Sequence, residues 1–360
     1  GCSCGNKIHF DHDLSGRKTM LPVLPTMGVG SYASPGWLVS ARKMLRRGEL
    51  GEHDIEELFD DALTICISDQ LEAGVDILTD GELRRQRFVF KLYDALEGLE
   101  RVEPLRRGGV SGYDMAPHFA RVDSLSAPDG LGVVQDFSAL KDKAPPGHPL
   151  KSALPGPLTF ASFIDVSGSS VSDLLTELVT IVRAEIEGLI DAGADFVQLD
   201  EPGLTNLPLE LAAEEAAAVV NRTLSGFPGK LAVHVCFGNN AGRPFADRCM
   251  GRLIPAIEGL ACNQLVLEFA NREMAELDVL RALSQRFEIA AGVVDVKNFY
   301  LESAERVAAR IRQCLEVVPA YKLSITADCG FSALPRHSAR EKMMALVAGT
   351  RLVRDELEGG

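Results

Sequence analysis

The chain carries one tryptophan, 6% aromatic residues and a deficit of positive charge, with 37 lysines and arginines against 51 aspartates and glutamates. The formal net charge of −14 repels nucleic acid and anionic membrane surfaces and serves solubility. No apolar run reaches the roughly 20 residues that a membrane span requires, and no secretory signal opens the sequence. The eight cysteines lack the close rhythm of a disulfide-stapled domain. Cys66, Cys249, Cys262 and Cys314 fall in helix-like or loop stretches. A reducing, cytoplasmic setting fits this usage. Cys2 and Cys4 of the opening GCSCGNK are two thiols on a chain end and read as incidental rather than as a metal site.

What is present is a large core. At 360 residues and 46% hydrophobic content, the chain can bury one large core or two modest ones. Short apolar runs recur: DFVQLDEP, KLAVHVCF, QLVLEFA, FEIAAGVVD and YKLSITADC begin at residues 195, 230, 264, 287 and 321. Between them lie loops and amphipathic helices, and gaps of roughly 25 to 35 residues accommodate one strand, one helix and two loops. Continuous apolar strands alternating with helices make a parallel sheet covered by helices. The first half repeats this more loosely, with VLPTMGVGS at 23, VDILTDGE at 75 and SALPGPLTF at 152. Helices are expected from about Asp54 to Ala73 and from about Ser172 to Ala192.

Eight runs predict an α/β fold of the (β/α)8 TIM-barrel kind. Residues 1–20 read as an N-terminal tail and 21–360 as a single barrel domain. An insertion at about 100–150, between the second and third strands, is expected to form a lid or an added hairpin. Chemistry in this fold gathers at the C-terminal ends of the strands, and the polar clusters of the sequence all fall there.

Four of those positions form a soft donor set. His234 and Cys236, two apart on a strand, face the same side. Glu268 ends the run LVLEF, where an unpaired carboxylate is costly to bury, and Cys329 follows the last run. One imidazole, two thiolates and a carboxylate suit tetrahedral zinc. Thiolate-rich zinc in a cavity can take up a further thiol and hold it as a nucleophile, so the chain reads as an enzyme that alkylates sulfur. Glu82, Asp200 and Glu201 form an acidic group suited to an amino-acid ammonium; the plainer alternative pairs them with loops or with the arginines of LRRQR. Of Arg84, Arg85 and Arg87, at most one is expected to reach the site. Gly30, Ser31 and Tyr32 form a turn able to offer N–H groups to a carboxylate. Trp37 is expected to pack in the core rather than stack on a ligand.

Taken in order, GVGSY, TDGELRR, PGPLTF, QLDEPGL, VHVCFGN, LVLEFANR, GVVDVK and DCGFSALPR resemble the catalytic barrel of the cobalamin-independent methionine synthase family over nearly all of residues 21–355. The resemblance implies zinc on His234, Cys236, Glu268 and Cys329, joined by the homocysteine sulfur. It further implies that Glu82 and Asp200 receive the homocysteine ammonium and the Gly30 to Tyr32 turn its carboxylate. Two departures stand out. Long members that use methyl-tetrahydrofolate carry a second barrel, absent here, and they place a histidine where this chain has Lys297. A tertiary amine leaves poorly unless protonated, and lysine near 10.4 is a weak acid for that task. Some shorter members take methyl from a corrinoid protein, whose cobalt leaves without a proton. The expected function is therefore zinc-dependent methyl transfer to homocysteine, forming methionine, with a methylfolate or methylcorrinoid donor. Lys297 and Glu268 are the candidate catalytic pair, although Lys297 can also be read as a simple partner of Asp295 or Glu268. Two rivals remain, an epoxyalkane:coenzyme M transferase-like alkyltransferase and a non-catalytic zinc-binding protein.

Overall fold

In the computed structural model, described for residues 8–9, 20–85, 90–106, 115–166, 170–239, 243–244 and 246–359, six parallel strands run side by side. They are Ser152–Pro155, Phe196–Asp200, Lys230–Val235, Gln264–Glu268, Glu288–Val294 and Leu323–Ala327, adjacent in that order. Two short extended segments complete the ring. Thr26 bridges Ile325, Met27 bridges Ile77 and Leu78 bridges Leu150, all in parallel. The closing hydrogen bonds include Met27 N to Ile325 O at 3.0 Å and Lys151 N to Leu78 O at 2.9 Å. The eight-stranded barrel read from the apolar runs is the observed fold.

Strand alternation separates two cores. Val197, Leu199, Leu231, Val233, Leu265 and Leu267 face the helices and join the main core, whereas Met27, Ile77, Phe196, Ala232, Val266 and Ala290 fill the barrel interior. The outer layer forms because the helical segments carry apolar residues at helical spacing. Val171–Asp191, for example, buries Leu174, Leu175, Leu178, Val182, Ile186 and Leu189, and starts where the Ser170 hydroxyl accepts the Asp173 N–H. Each such buried side chain contributes roughly 1.5–3 kcal/mol. Glu52–Ala73 stops at Gly74, whose φ of 80° suits glycine alone among common residues.

After the second barrel strand the chain makes a twisted hairpin, Glu97–Arg106 against Met115–Ser126, whose second strand also pairs with Ile164–Asp165. Tyr93 stacks on Phe119 at 4.2 Å and ties the hairpin to the barrel. The helix Val133–Lys143 then returns to the barrel wall, its first N–H groups bound by the Glu185 carboxylate. The interval 100–150 thus holds part of a hairpin followed by a helix of the ordinary outer layer. Cys2, Cys4 and Arg87 lie outside the described residues. Among those described, no helix is long and apolar enough to cross a membrane. Trp37 does not pack in the core as expected. It lies on the outer face of Gly36–Arg46 with 41% of its surface exposed, because Leu38 takes the inward position of that turn.

Candidate active site

Strand Lys230–Val235 carries His234 inward, and the next inward position is Cys236. The turn after Leu323–Ala327 brings in Cys329 from the other side of the ring. One ligand atom from each of these three residues lies within 4.8 Å of the others, and the two sulfurs are 3.8 Å apart. His234 Nδ1 binds Asp200 Oδ1 at 3.0 Å, whereas its Nε2 is buried without a partner. That arrangement sets the tautomer, with Nδ1 carrying the proton and the Nε2 lone pair left without a partner among the described residues. Burial works against charge on His234, but the hydrogen bond and charge of Asp200, together with Cys329, outweigh it and raise its pKa. The thiol contact itself lowers Cys329 to about 7 and pushes Cys236 up. A buried nitrogen without a partner beside two converging sulfurs fits a soft divalent ion.

Glu268 is fully buried at the tip of its strand but stands apart from that three-residue group. Its Oε2 accepts a hydrogen bond from Lys297 Nζ at 2.6 Å, and its Oε1 has no partner among the described residues. Of the two partners foreseen for the Lys297 ammonium, the structure selects Glu268; Asp295 Oδ1 accepts only the Lys297 backbone N–H, at 2.8 Å. Burial disfavours the Lys297 ammonium, yet the charge of Glu268 wins and raises its pKa.

Glu82 lies at the opening of the first two strands. Its backbone is left-handed, with φ 54°, a costly geometry for a residue with a side chain. Its carboxylate is wedged against Gly30, where an added Cβ would be 2.3 Å from Oε1. Glycine at 30 is therefore a steric requirement of Glu82. Oε2 makes no hydrogen bond, Arg85 Nη1 stands 3.7 Å away, and burial lifts the carboxyl to about 8 despite that arginine. Of the arginines, Arg85 turns inward and donates to Ala153 O at 2.7 Å, whereas Arg84 pairs with Asp60 at 2.8 Å.

Other foreseen residues are drawn elsewhere. Glu201 turns from the acidic group to bind the N–H groups of Leu158 and Thr159 at the start of Pro157–Ala161. Ser31 contacts Ser332 at 3.1 Å, and Tyr32 points into the wall, donating to Asp69 at 2.9 Å. Asp328 binds the N–H groups of Phe269, Ala270 and Asn271, pinning the turn that follows Glu268.

Two interior residues were missed. Lys151 is fully buried; its ammonium donates to Gly28 O and Gln198 Oε1, both at 2.7 Å, and burial pulls it down to about 7 against the pull of Asp200 and Glu82. Gln198 Nε2 in turn donates to Asp200 Oδ1 at 2.7 Å. A signal was available, since Gln198 stands two residues before Asp200 on one strand face.

Comparison with known proteins identifies the family. Residues 24–351 match the family model described as cobalamin-independent synthase, catalytic domain. The chain is 31% identical over 339 residues to a methionine synthase of Sulfurisphaera tokodaii, covering 94% of this chain and 95% of the relative. It is 30% identical over 339 residues to one from Saccharolobus solfataricus, covering 94% and 97%. Among solved structures, the B12-independent methionine synthase of Shewanella sp. W3-18-1, in complex with selenomethionine, is similar with TM-score 0.80 and 27% identity, covering 94% of this chain and 100% of that one. A putative vitamin-B12 independent methionine synthase from Listeria monocytogenes shares the fold with TM-score 0.66 at 20% identity, covering 92% and 98%. With the family model spanning most of its length and the curated relatives matched almost end to end, the chain belongs to the cobalamin-independent methionine synthase family.

Proposed function

We propose that this protein methylates homocysteine to methionine, with His234, Cys236 and Cys329 holding a zinc ion and Glu268 as its fourth, releasable partner. The observation that carries this reading is the meeting of one ligand atom from each of His234, Cys236 and Cys329 within 4.8 Å of one another, with His234 Nε2 unpartnered among the described residues, beside the Asp200 and Glu82 carboxylates. Zinc held there would stabilise a substrate thiol as thiolate at neutral pH.

The chain's own residues supply the rest. Glu82, with a buried oxygen lacking any donor, and Asp200 accept the ammonium of the amino acid. The Gly30 and Ser31 turn lies beside them to receive the carboxylate. Fixing the amino acid at one end aims its sulfur, which supplies the orientational part of the rate enhancement. Lys297 holds Glu268 at 2.6 Å, and so offers that carboxylate a resting place when a substrate sulfur takes its position. Paired in this way, Lys297 is a poor proton donor near neutrality, which favours a methyl donor whose leaving group departs unprotonated, such as a methylcorrinoid, over a simple methylfolate. The strands Glu97–Arg106 and Met115–Ser126 border a cavity of about 470 Å³ lined in part by Val102, His118 and Leu209, and none of the site residues lines it. Residues 21–360 act as one catalytic unit.

The test is to incubate zinc-loaded protein with homocysteine or coenzyme M and, separately, methylfolate, methylcobalamin and an epoxide, and to identify products by mass. Methionine is the expected product. Turnover of coenzyme M with no methylation of homocysteine by any donor overturns the proposal.

A further inference from the structure

The barrel interior holds a lysine that no carboxylate touches. Lys151 has none of its surface exposed, yet among the described residues its ammonium contacts only Gly28 O, Gln198 Oε1 and, at 3.7 Å, Met27 Sδ, with Phe196 under it at 5.7 Å. An unpaired buried charge is expensive, so its placement calls for an account beyond packing.

Its geometry supplies one. Whether ammonium or neutral amine, Lys151 has at least two N–H groups, and with Gly28 O and Gln198 Oε1 as their acceptors the side chain of Gln198 turns its oxygen toward Lys151. That leaves the Gln198 amide N–H groups facing the other way, where Nε2 donates to Asp200 Oδ1 at 2.7 Å and Val29 O at 2.9 Å. Asp200 Oδ1 is also the atom that holds His234 Nδ1. Both contacts fall on one oxygen, which keeps Oδ2 available for an incoming ammonium. Without Lys151, the Gln198 oxygen loses its donor, and only the contacts of Nε2 with Val29 O and Asp200 Oδ1 still hold the side chain in place.

We infer that Lys151 and Gln198 form a positioning pair that fixes the rotamer of Asp200, so that one oxygen orients His234 while the other receives the substrate ammonium. The inference rests on the homocysteine reading above. It gives the site its selectivity for an amino acid over a plain thiol.

The experiment compares two ligands, homocysteine and 4-mercaptobutanoate, which is the same thiol acid without its amino group. Binding to zinc-loaded protein is measured by calorimetry for the parent, Lys151→Met, and the double variant Lys151→Met with Gln198→Leu. The double variant removes the Gln198 oxygen that Lys151→Met strands, leaving Gly28 O and Val29 O instead, and is an independent removal of the link that keeps the test valid if Lys151→Met does not fold. Because a hydrogen bond to a charged group is at stake, homocysteine should bind about tenfold or more weakly to the variants. In metal-saturated protein, 4-mercaptobutanoate, which uses the metal but not the ammonium contact, should weaken by at least about fivefold less than homocysteine. Equal weakening of both ligands, or homocysteine affinity within twofold of the parent, overturns the inference. Failure of the parent to bind either ligand overturns the homocysteine reading itself.

Discussion

Replacing Lys297 with methionine strands the Glu268 carboxylate, and the structure bounds the cost. Both side chains are buried, at 4% and 0% exposure, and losing one partner of such a pair costs roughly 3–5 kcal/mol. A stranded carboxylate can escape by taking a proton. From the ordinary glutamate value near 4.3 that costs about 1.36 kcal/mol per pH unit, or about 3.7 kcal/mol at pH 7 and about 2.3 at pH 6. The loss at pH 7 is therefore between about 3 and 3.7 kcal/mol. The sign follows from proton linkage: the folded variant binds a proton that its unfolded chain has released, so its stability falls as pH rises above about 4.3. A chain of this size has an unfolding entropy near 0.75 kcal/mol/K, so the midpoint should drop by about 5 °C at pH 7 and about 3 °C at pH 6. Scanning calorimetry on metal-free protein reads both. Added zinc should shrink the difference, because the freed carboxylate then has a cation to turn to. A variant matching the parent at both pH values would show that the Lys297–Glu268 contact does not hold the carboxylate, and the resting-place role would fall with it.

Four further outcomes are expected. Cys329→Ala should lose stoichiometric zinc, as read by metal analysis after dialysis; Asp200→Ala should keep it with affinity about 10–100-fold lower, since Asp200 orients His234. Full zinc retention by Cys329→Ala would remove that residue from the donor set. Gly30→Ala should displace the Glu82 carboxylate, given a 2.3 Å approach to Oε1, and weaken homocysteine binding about tenfold or more; calorimetry showing parental affinity would exclude Glu82 as the ammonium acceptor. With Glu82 held up to about 8 by burial, it is protonated below that pH in the free protein and must ionise to accept an ammonium. Homocysteine affinity should therefore rise from pH 6 to 8 with release of a proton that Glu82→Gln no longer releases, and unchanged proton release in that variant would refute the assignment.

The alternation of apolar residues was enough to specify eight strands and to place His234 and Cys236 on one face, because side-chain direction along a strand has period two. It also put Glu268 and Cys329 at the same end of the barrel, since run endings mark strand tips. It could not choose partners. Asp200 and Glu201 are neighbours of like charge, yet one faces His234 and the other binds Leu158 and Thr159. Arg84 and Arg85 diverge in the same way. Lys151, just before the run at 152, drew no reading at all, and Trp37 looked like a core residue. Composition and periodicity are properties of a segment. Which donor meets which acceptor is settled only when the ring closes and brings residues such as Cys236 and Cys329, 93 positions apart, into one water-poor space where each buried polar atom must find a partner.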